Sequence, residues 1–324
     1  MNIKKIGMTA LAASLVSTSV FAGELTATGS ASMTVEGHSG TILQSDTAFS
    51  MADSVILSGS TELDNGMTVS MSFELDGASE SSDGQSAYDD NSMTISSDAM
   101  GTLKFSAHGG SSASSALDGT AAGDVWDNFD SGLTVTGAAT KAAAAGDNSF
   151  YYTLPSMVDG LTVNASLNTT GTTGNNALGY NATYSGVDGL SVSYGFADIE
   201  TGATTTAGDQ TVMKASYAYG PVTASYSNSE YDTGAGNTQA LAQEVTSYAV
   251  SYTVSDAISV TYGTETIESG LSTETDAEYE KISASYTAGG MTLSVTSADA
   301  ENIDHTTDSD ADYDYWSLGL SFAF

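Results

Sequence analysis

From residue 24 onward the chain repeats one pattern: stretches in which apolar and polar side chains alternate, separated by breaks rich in Gly, Asp, Asn and Ser. Leu190, Val192, Tyr194 and Phe196 alternate with Ser191, Ser193, Gly195 and Ala197. Leu161, Val163, Ala165 and Leu167 alternate with Thr162, Asn164, Ser166 and Asn168. Met67, Val69, Met71, Phe73 and Leu75 alternate with Thr68, Ser70, Ser72 and Glu74. A strand places successive side chains on opposite faces, so each stretch carries one apolar and one wet face. Sixteen strands are predicted, over 24–36, 47–63, 67–76, 91–97, 102–108, 148–155, 160–168, 177–185, 190–198, 209–219, 222–231, 244–254, 257–266, 277–286, 291–299 and 312–324. About ten tilted residues let a strand cross a bilayer.

The connections obey a second rule. After each even-numbered strand the link is short: 64–66, 98–101, 156–159, 186–189, 220–221, 255–256 and 287–290. After each odd-numbered strand it is longer, acidic and rich in Gly, Ser and Thr. Short turns on one rim and long loops on the other are the plan of a transmembrane barrel, and a soluble sandwich has no reason to keep it. The expectation is an all-β fold, a 16-stranded antiparallel transmembrane β-barrel with both chain ends on the turn side. In such a barrel the usual burial order inverts: lipid receives Leu, Val, Tyr and Phe, while Ser, Thr and Asn line water. The last strand puts Trp316, Leu318, Leu320, Phe322 and Phe324 on one face.

Composition narrows the picture. Lys4 and Lys5, an apolar run from Ile6 to Val20 and the small-residue site at Ala22 read as a secretory signal, residues 1–22, leaving 23–324 as the barrel. Cysteine is absent, which excludes disulfides and thiolate metal sites. Without the signal, four lysines (Lys104, Lys141, Lys214 and Lys281) and no arginine stand against 40 carboxylates, a formal charge of −36. That balance excludes nucleic acid as a partner. It would also suit a disordered acidic chain, but 17 tyrosines and a sustained period of two indicate folding. His38, His108 and His305 fall in no nucleophile or metal motif, so an enzyme is not expected.

With the signal, the sixteen-strand alternation, the Tyr-rich strands and the aromatic ending YDYWSLGLSFAF, the sequence resembles the Gram-negative general porins. A 39-residue third loop, Gly109 to Asp147, follows the fifth strand, where that family places its constriction loop. The resemblance implies an outer-membrane channel for passive diffusion of small hydrophilic solutes and cations, surrounded by lipid and lipopolysaccharide. It also implies a homotrimer, an inward-folded third loop, and a terminal Phe324 that barrel-assembly machinery reads. The arginine ladder of the family is impossible here.

If the third loop enters the lumen, it carries Asp118, Asp124, Asp127, Asp130 and Asp147 there, with Lys141 its only cation, and a ring of carboxylates favours cations. The alternative assigns these aspartates to turns and caps, and Trp126 to packing the loop on the wall. Lys104, Lys214 and Lys281 fall on polar faces and should point into the lumen, where they would pair with loop aspartates or balance wall acids. Asp308, Asp310, Asp312 and Asp314 stand at alternate positions, a weak divalent site for Ca²⁺ or Mg²⁺ or else a solvated acidic rim; the EF-hand pattern fails at its sixth and twelfth positions. Sixteen of the 17 tyrosines follow residue 150. Strand 1 offers Ala27, Gly29 and Ala31 outward, and strand 2 Val55, Leu57 and Gly59. Strands 1–5 are therefore expected to meet neighbouring subunits and strands 6–15 lipid. The rival reading is a structural or adhesive barrel with a plugged, non-conducting lumen.

Overall fold

The computed structural model describes residues 25–40, 47–76, 88–129, 148–169, 176–200, 208–233, 242–271, 273–303, 305 and 312–324. Sixteen strands close into a single antiparallel barrel in chain order. They are β1 (Thr26–Gly40), β2 (Ala48–Glu62), β3 (Thr68–Asp76), β4 (Tyr88–Ser97), β5 (Gly101–His108), β6 (Ser149–Thr153), β7 (Leu161–Thr169) and β8 (Asn176–Val187), then β9 (Leu190–Glu200), β10 (Gly208–Tyr219), β11 (Val222–Thr233), β12 (Gln243–Ser255), β13 (Ile258–Ser269), β14 (Ala277–Ala288), β15 (Met291–Glu301) and β16 (Tyr313–Ala323). The expected segments all recur. β6 is the shortest and stops before Leu154-Pro155, where proline has no N–H for the ladder. β1 runs on to Gly40 through Gly37, because β16 supplies partners as far as Gly40↔Tyr313.

Closure is completed by β1, which pairs with β2 along one edge and β16 along the other. Past the last strand residue, the Gly29 N–H donates to the Phe324 carbonyl at 2.8 Å and the Phe324 N–H to the Gly29 carbonyl at 3.0 Å. The Phe324 ring lies over Gly29, where a Cβ would meet it at 2.4 Å, and the Trp316 ring covers Gly37 in the same way. Those two glycines are thus explained within one subunit, as seats for aromatic rings of the neighbouring strand.

The polarity inversion is visible strand by strand. Large apolar and aromatic side chains such as Tyr248 (56% exposed), Val250 and Tyr252 cover the outer wall, while Ser166, Asn181, Ser193, Ser227 and Ser247 (0%) are buried inside. From Trp316 to Phe324 the outer face of β16 rises roughly 27 Å along the strand and roughly 20 Å along the barrel axis at a ~40° tilt, near the ~25 Å apolar band of such barrels.

Towards the long loops the rule reverses, a correction to the expectation of a uniformly wet interior. There the outward positions become acidic and meet like charges across the ladder: Asp198↔Asp209↔Asp232, Glu230↔Glu244↔Glu268 and Glu280↔Asp299↔Asp314. The inward positions of the same halves carry many buried apolar side chains, Ala197 and Ile199, Val245, Ile267, Tyr279, Ala298, Tyr313 and Tyr315, beside the buried Gln210, Gln243 and Glu265. Through the pairs just named the phase of the alternation holds; the solvents change. Below the boundary lipid is outside and water inside; above it water is outside and a packed interior lies within.

This boundary is testable on one wall. Val250→Arg, in the lipid band, should cost about 2–4 kcal/mol in urea unfolding from lipid vesicles. Glu268→Arg, on the adjacent strand's outer face but beyond the boundary, should change stability by less than about 1 kcal/mol or raise it by relieving Glu244.

Candidate functional site in the lumen

The third loop enters the barrel directly after β5. Gly109 turns the chain at φ 62°, and the Asp90 carboxylate occupies the space a side chain there would need, 1.2 Å from its Cβ position. Residues 110–129 then travel along the inner wall through two short 3-10 turns, Ser115–Leu117 and Val125–Phe129. A backbone carried into the lumen still needs hydrogen-bond partners, and the wall provides them. The Ala113 N–H donates to Ser166 Oγ (2.7 Å), the Ala121 N–H to Ser227 Oγ (2.8 Å) and the Ala122 N–H to Ser247 Oγ (2.9 Å). Asn181 Nδ2 donates to the Ala113 carbonyl and is itself held by Asn164 (2.6 Å). His38 Nε2 donates to the Asn128 carbonyl at 2.6 Å, so that nitrogen carries the proton. Each such bond contributes roughly 0.5–1.5 kcal/mol net.

Space is arranged as carefully as polarity. Inward glycines lie opposite the loop: Gly179 faces Ala113, Gly195 faces Leu117 and Ser114, and Gly263 faces Ala122, where an added Cβ would come within 2.6 Å. The loop's far end is fixed by apolar contact instead. Ala122, Val125 and Phe129 join Val245, Ile267, Tyr279, Ala298, Tyr313 and Tyr315 in one buried cluster, with Trp126 packed against it. Trp126 therefore anchors the loop to the wall.

The aspartates divide by role. Asp124 ties a tight turn: its Oδ1 accepts from the Thr120 N–H (2.8 Å), and its own N–H donates to Thr120 Oγ1 (2.7 Å). Asp127 is exposed on the lumen side of the second 3-10 turn. Asp118 follows the first turn, half-buried. Burial raises its carboxyl above the ordinary 3.8, the nearby charge of Asp124 adds to this, and the Gly119 N–H and the Lys214 ammonium oppose it. Asp130, Asp147 and Lys141 lie outside the described residues.

All three remaining lysines occupy inward positions, but two meet the loop differently from the expected pairing with aspartates. Lys214 donates to the Gly119 carbonyl and Lys281 to the Gly123 carbonyl at 2.9 Å. Backbone carbonyls are their hydrogen-bond partners, so these ammonium groups clamp the loop. Lys104 is exposed on β5. The lumen also holds acids the sequence reading passed over. Glu36 accepts from Tyr315 Oη at 2.9 Å, Glu74 from Ser54 Oγ, and Glu265, 1% exposed under the loop, from the Trp126 N–H at 3.3 Å. Their positions were readable, since each is in phase with its strand's inward set. Tyr231, Tyr313 and Tyr315 likewise join Tyr151 and Tyr279 on inward positions, and all but Tyr151 are buried. Of the proposed divalent site, Asp308 and Asp310 are outside the described residues. Asp312 accepts from the Asn302 N–H (3.3 Å) and Asp314 from Ser39 Oγ (2.9 Å). Among the described residues no three acidic or histidine side chains converge as a metal site.

Two measurements probe the seated loop. Gly263→Val overpacks the Ala122 contact and should lower stability by about 1–3 kcal/mol, with a shift in single-channel conductance as the loop lifts. Asp118→Asn tests the charge. A raised carboxyl favours the folded state fully below the unfolded value near 3.9 and loses that contribution as pH climbs through the folded value. The variant should therefore melt higher than the native protein at pH 7 and lose that advantage on acidification below about pH 4.

A family model described as Gram-negative porin matches residues 7–324. Among solved structures, an anion-selective porin from Comamonas acidovorans aligns with a TM-score of 0.70 at 13% identity, covering 93% of this chain and all of that one. OmpF of Salmonella typhi in complex with daunomycin aligns at 0.70 and 14% identity, covering 93% and 98%. A mutant porin of Rh. blastica aligns at 0.65 and 16% identity, covering 93% and 100%. No curated protein matches in sequence.

Proposed function

The chain belongs to the Gram-negative porin family and is an outer-membrane channel for solute diffusion, and within that role we propose a cation-selective pore for small hydrophilic solutes. The observation that carries this reading is the balance of charge on the described lumen side chains. Asp118, Asp124 and Asp127 on the loop, with Glu36, Glu74 and, one inward step along β3, Asp76 on the wall, outnumber the ammonium groups of Lys104, Lys214 and Lys281, whose charges persist while two of them donate to loop carbonyls. A charge in a narrow passage with low-dielectric walls is poorly screened, so the excess acid enriches cations and repels anions. The neighbour named for anion selectivity shares the barrel, and the side chains rather than the fold must set the sign.

The same reading extends to assembly. The outward faces of β1–β4 pair Met33 with Met51, Met71 with Met93 and Leu57 with Phe73, and their described side chains include no tyrosine. Among the described side chains, outward tyrosines begin at Tyr152 and recur to Tyr286. Interfacial tyrosines mark lipid-facing wall, so the sector of β1–β5 is assigned to contacts between copies in a trimer and β6–β15 to lipid. The Phe324 side chain, 76% exposed at the turn-side rim, suits recognition during assembly, and residues 1–22 suit a cleaved signal.

Zero-current potentials across a planar bilayer in a KCl gradient test the selectivity. Potassium should permeate in excess of chloride, and the preference should shrink in concentrated salt, where screening acts over ~3 Å instead of ~10 Å. Asp118→Asn with Asp127→Asn should move the permeability ratio towards one. A chloride preference in the native protein overturns the selectivity, and a protein that inserts without conductance steps indicates a plugged barrel.

A further inference from the structure

Two rows of inward side chains run side by side across β9, β10 and β11. Ser193, Lys214 and Ser227 occupy one register row; Ser191, Ser216 and Ser225 occupy the next, one inward step nearer the short turns. The loop backbone covers the first row at Gly119 and Ala121. Between the loop and the second row lies a recess of about 340 Å³, lined by Ser191, Ser193, Ser216, Ser225, Thr120 and Lys214 among others. We propose that this recess is a docking subsite for a small hydroxylated carboxylate. The proposal rests on the diffusion-channel reading only in supposing that solutes reach the lumen.

The chemistry follows from what the recess leaves unsatisfied. An ammonium has three donors, and Lys214 directs one to the Gly119 carbonyl. No carboxylate lines the recess, so an anionic oxygen is the partner that gains most from the remaining donors. Around this charge stand hydroxyls that both donate and accept, and Ser216 and Ser225 face each other directly across the ladder. Such groups complement the hydroxyls of a solute in any orientation. The lining offers no inward aromatic ring, which disfavours a sugar held by stacking. Its volume lies near the lower limit of ligand pockets, ~300 Å³, fitting a solute of a few carbons. The recess lies on the turn side of the loop, so a carboxylate arriving from the short-turn rim reaches it from that side, with the Asp118 charge near the same ammonium.

Glycerate and glycerol, which differ by the carboxylate, are the probes. Isothermal titration of the detergent-solubilised protein at low salt should give saturable binding of glycerate, with glycerol weaker by about tenfold or more, the worth of one charge-assisted hydrogen bond. Ser216→Ala with Ser225→Ala leaves the loop's own hydrogen bonds in place and should weaken glycerate by a similar factor, while the melting temperature stays near that of the native protein. Equal affinity for the two probes, no binding of glycerate, or unchanged binding in the double variant overturns the subsite. Because the titration does not require current, glycerate binding by a protein that fails to conduct would sink the channel reading and leave the subsite standing. A conducting protein that ignores glycerate would do the reverse.

Discussion

A strand in hydrocarbon has no water to satisfy its edge, so every backbone N–H and C=O must be paired within the protein. The junction of β1 with β16 is where this chain meets that requirement, and the rest of the structure depends on it. Eleven register pairs from Ser30↔Ala323 to Gly40↔Tyr313, extended by the reciprocal Gly29–Phe324 bonds, leave no open edge. Closure fixes strand number and hence width. Width creates a lumen too large for the wall side chains to fill, and the third loop then becomes both possible and necessary as a partial filling.

The same demand for satisfied polar groups governs the lumen. The loop brings a new backbone into the interior, and Ser166, Ser227, Ser247, Asn181, Lys214 and Lys281 meet its N–H and C=O groups. The serine-rich inner face is therefore more than a wetted surface. It is a set of partners placed at loop height, interleaved with glycines that admit the loop and followed by an apolar cluster that stops it. A single strand can carry all three elements: β13 contributes Gly263, Glu265 and Ile267 on successive inward positions, touching Ala122, the Trp126 N–H and the buried cluster in turn.

Much of this was legible in the sequence because the period of two, the turn chemistry and the long–short alternation of links are all local. Even the strand ends were close, since six of the seven short turns contain or directly precede a glycine at positive φ that marks the break: Gly66, Gly101, Gly160, Gly189, Gly220 and Gly289. What the sequence concealed was which medium each face meets at each height. In β14, Glu278 and Glu280 share a face with Ile282 and Tyr286, and alternation alone places both pairs outward without showing that the first pair stands above the lipid. The lysines were hidden for a different reason. Lys214 and Lys281 find carbonyls at Gly119 and Gly123 that are distant in sequence, and no pattern around a loop glycine announces that its carbonyl will be clamped.

The separation between what the fold fixes and what it leaves free explains how porins of either ionic preference can share one barrel. Hydrogen-bond closure and the polarity inversion constrain almost every outward residue and the serine anchors, because errors there expose unpaired groups to lipid or to a buried loop. A charge on a water-filled wall remains hydrated and costs the fold little, so its sign can change without disturbing the barrel. With no arginine and four lysines beyond residue 22, this chain has few cations to place. It commits two of the three described ones to holding the loop, a task an ammonium performs through its donors rather than through long-range attraction. Those ammonium groups keep their charge while they hold the loop, so any excess of negative charge in the lumen rests on the sheer number of acids in the chain rather than on a dedicated set of filter residues.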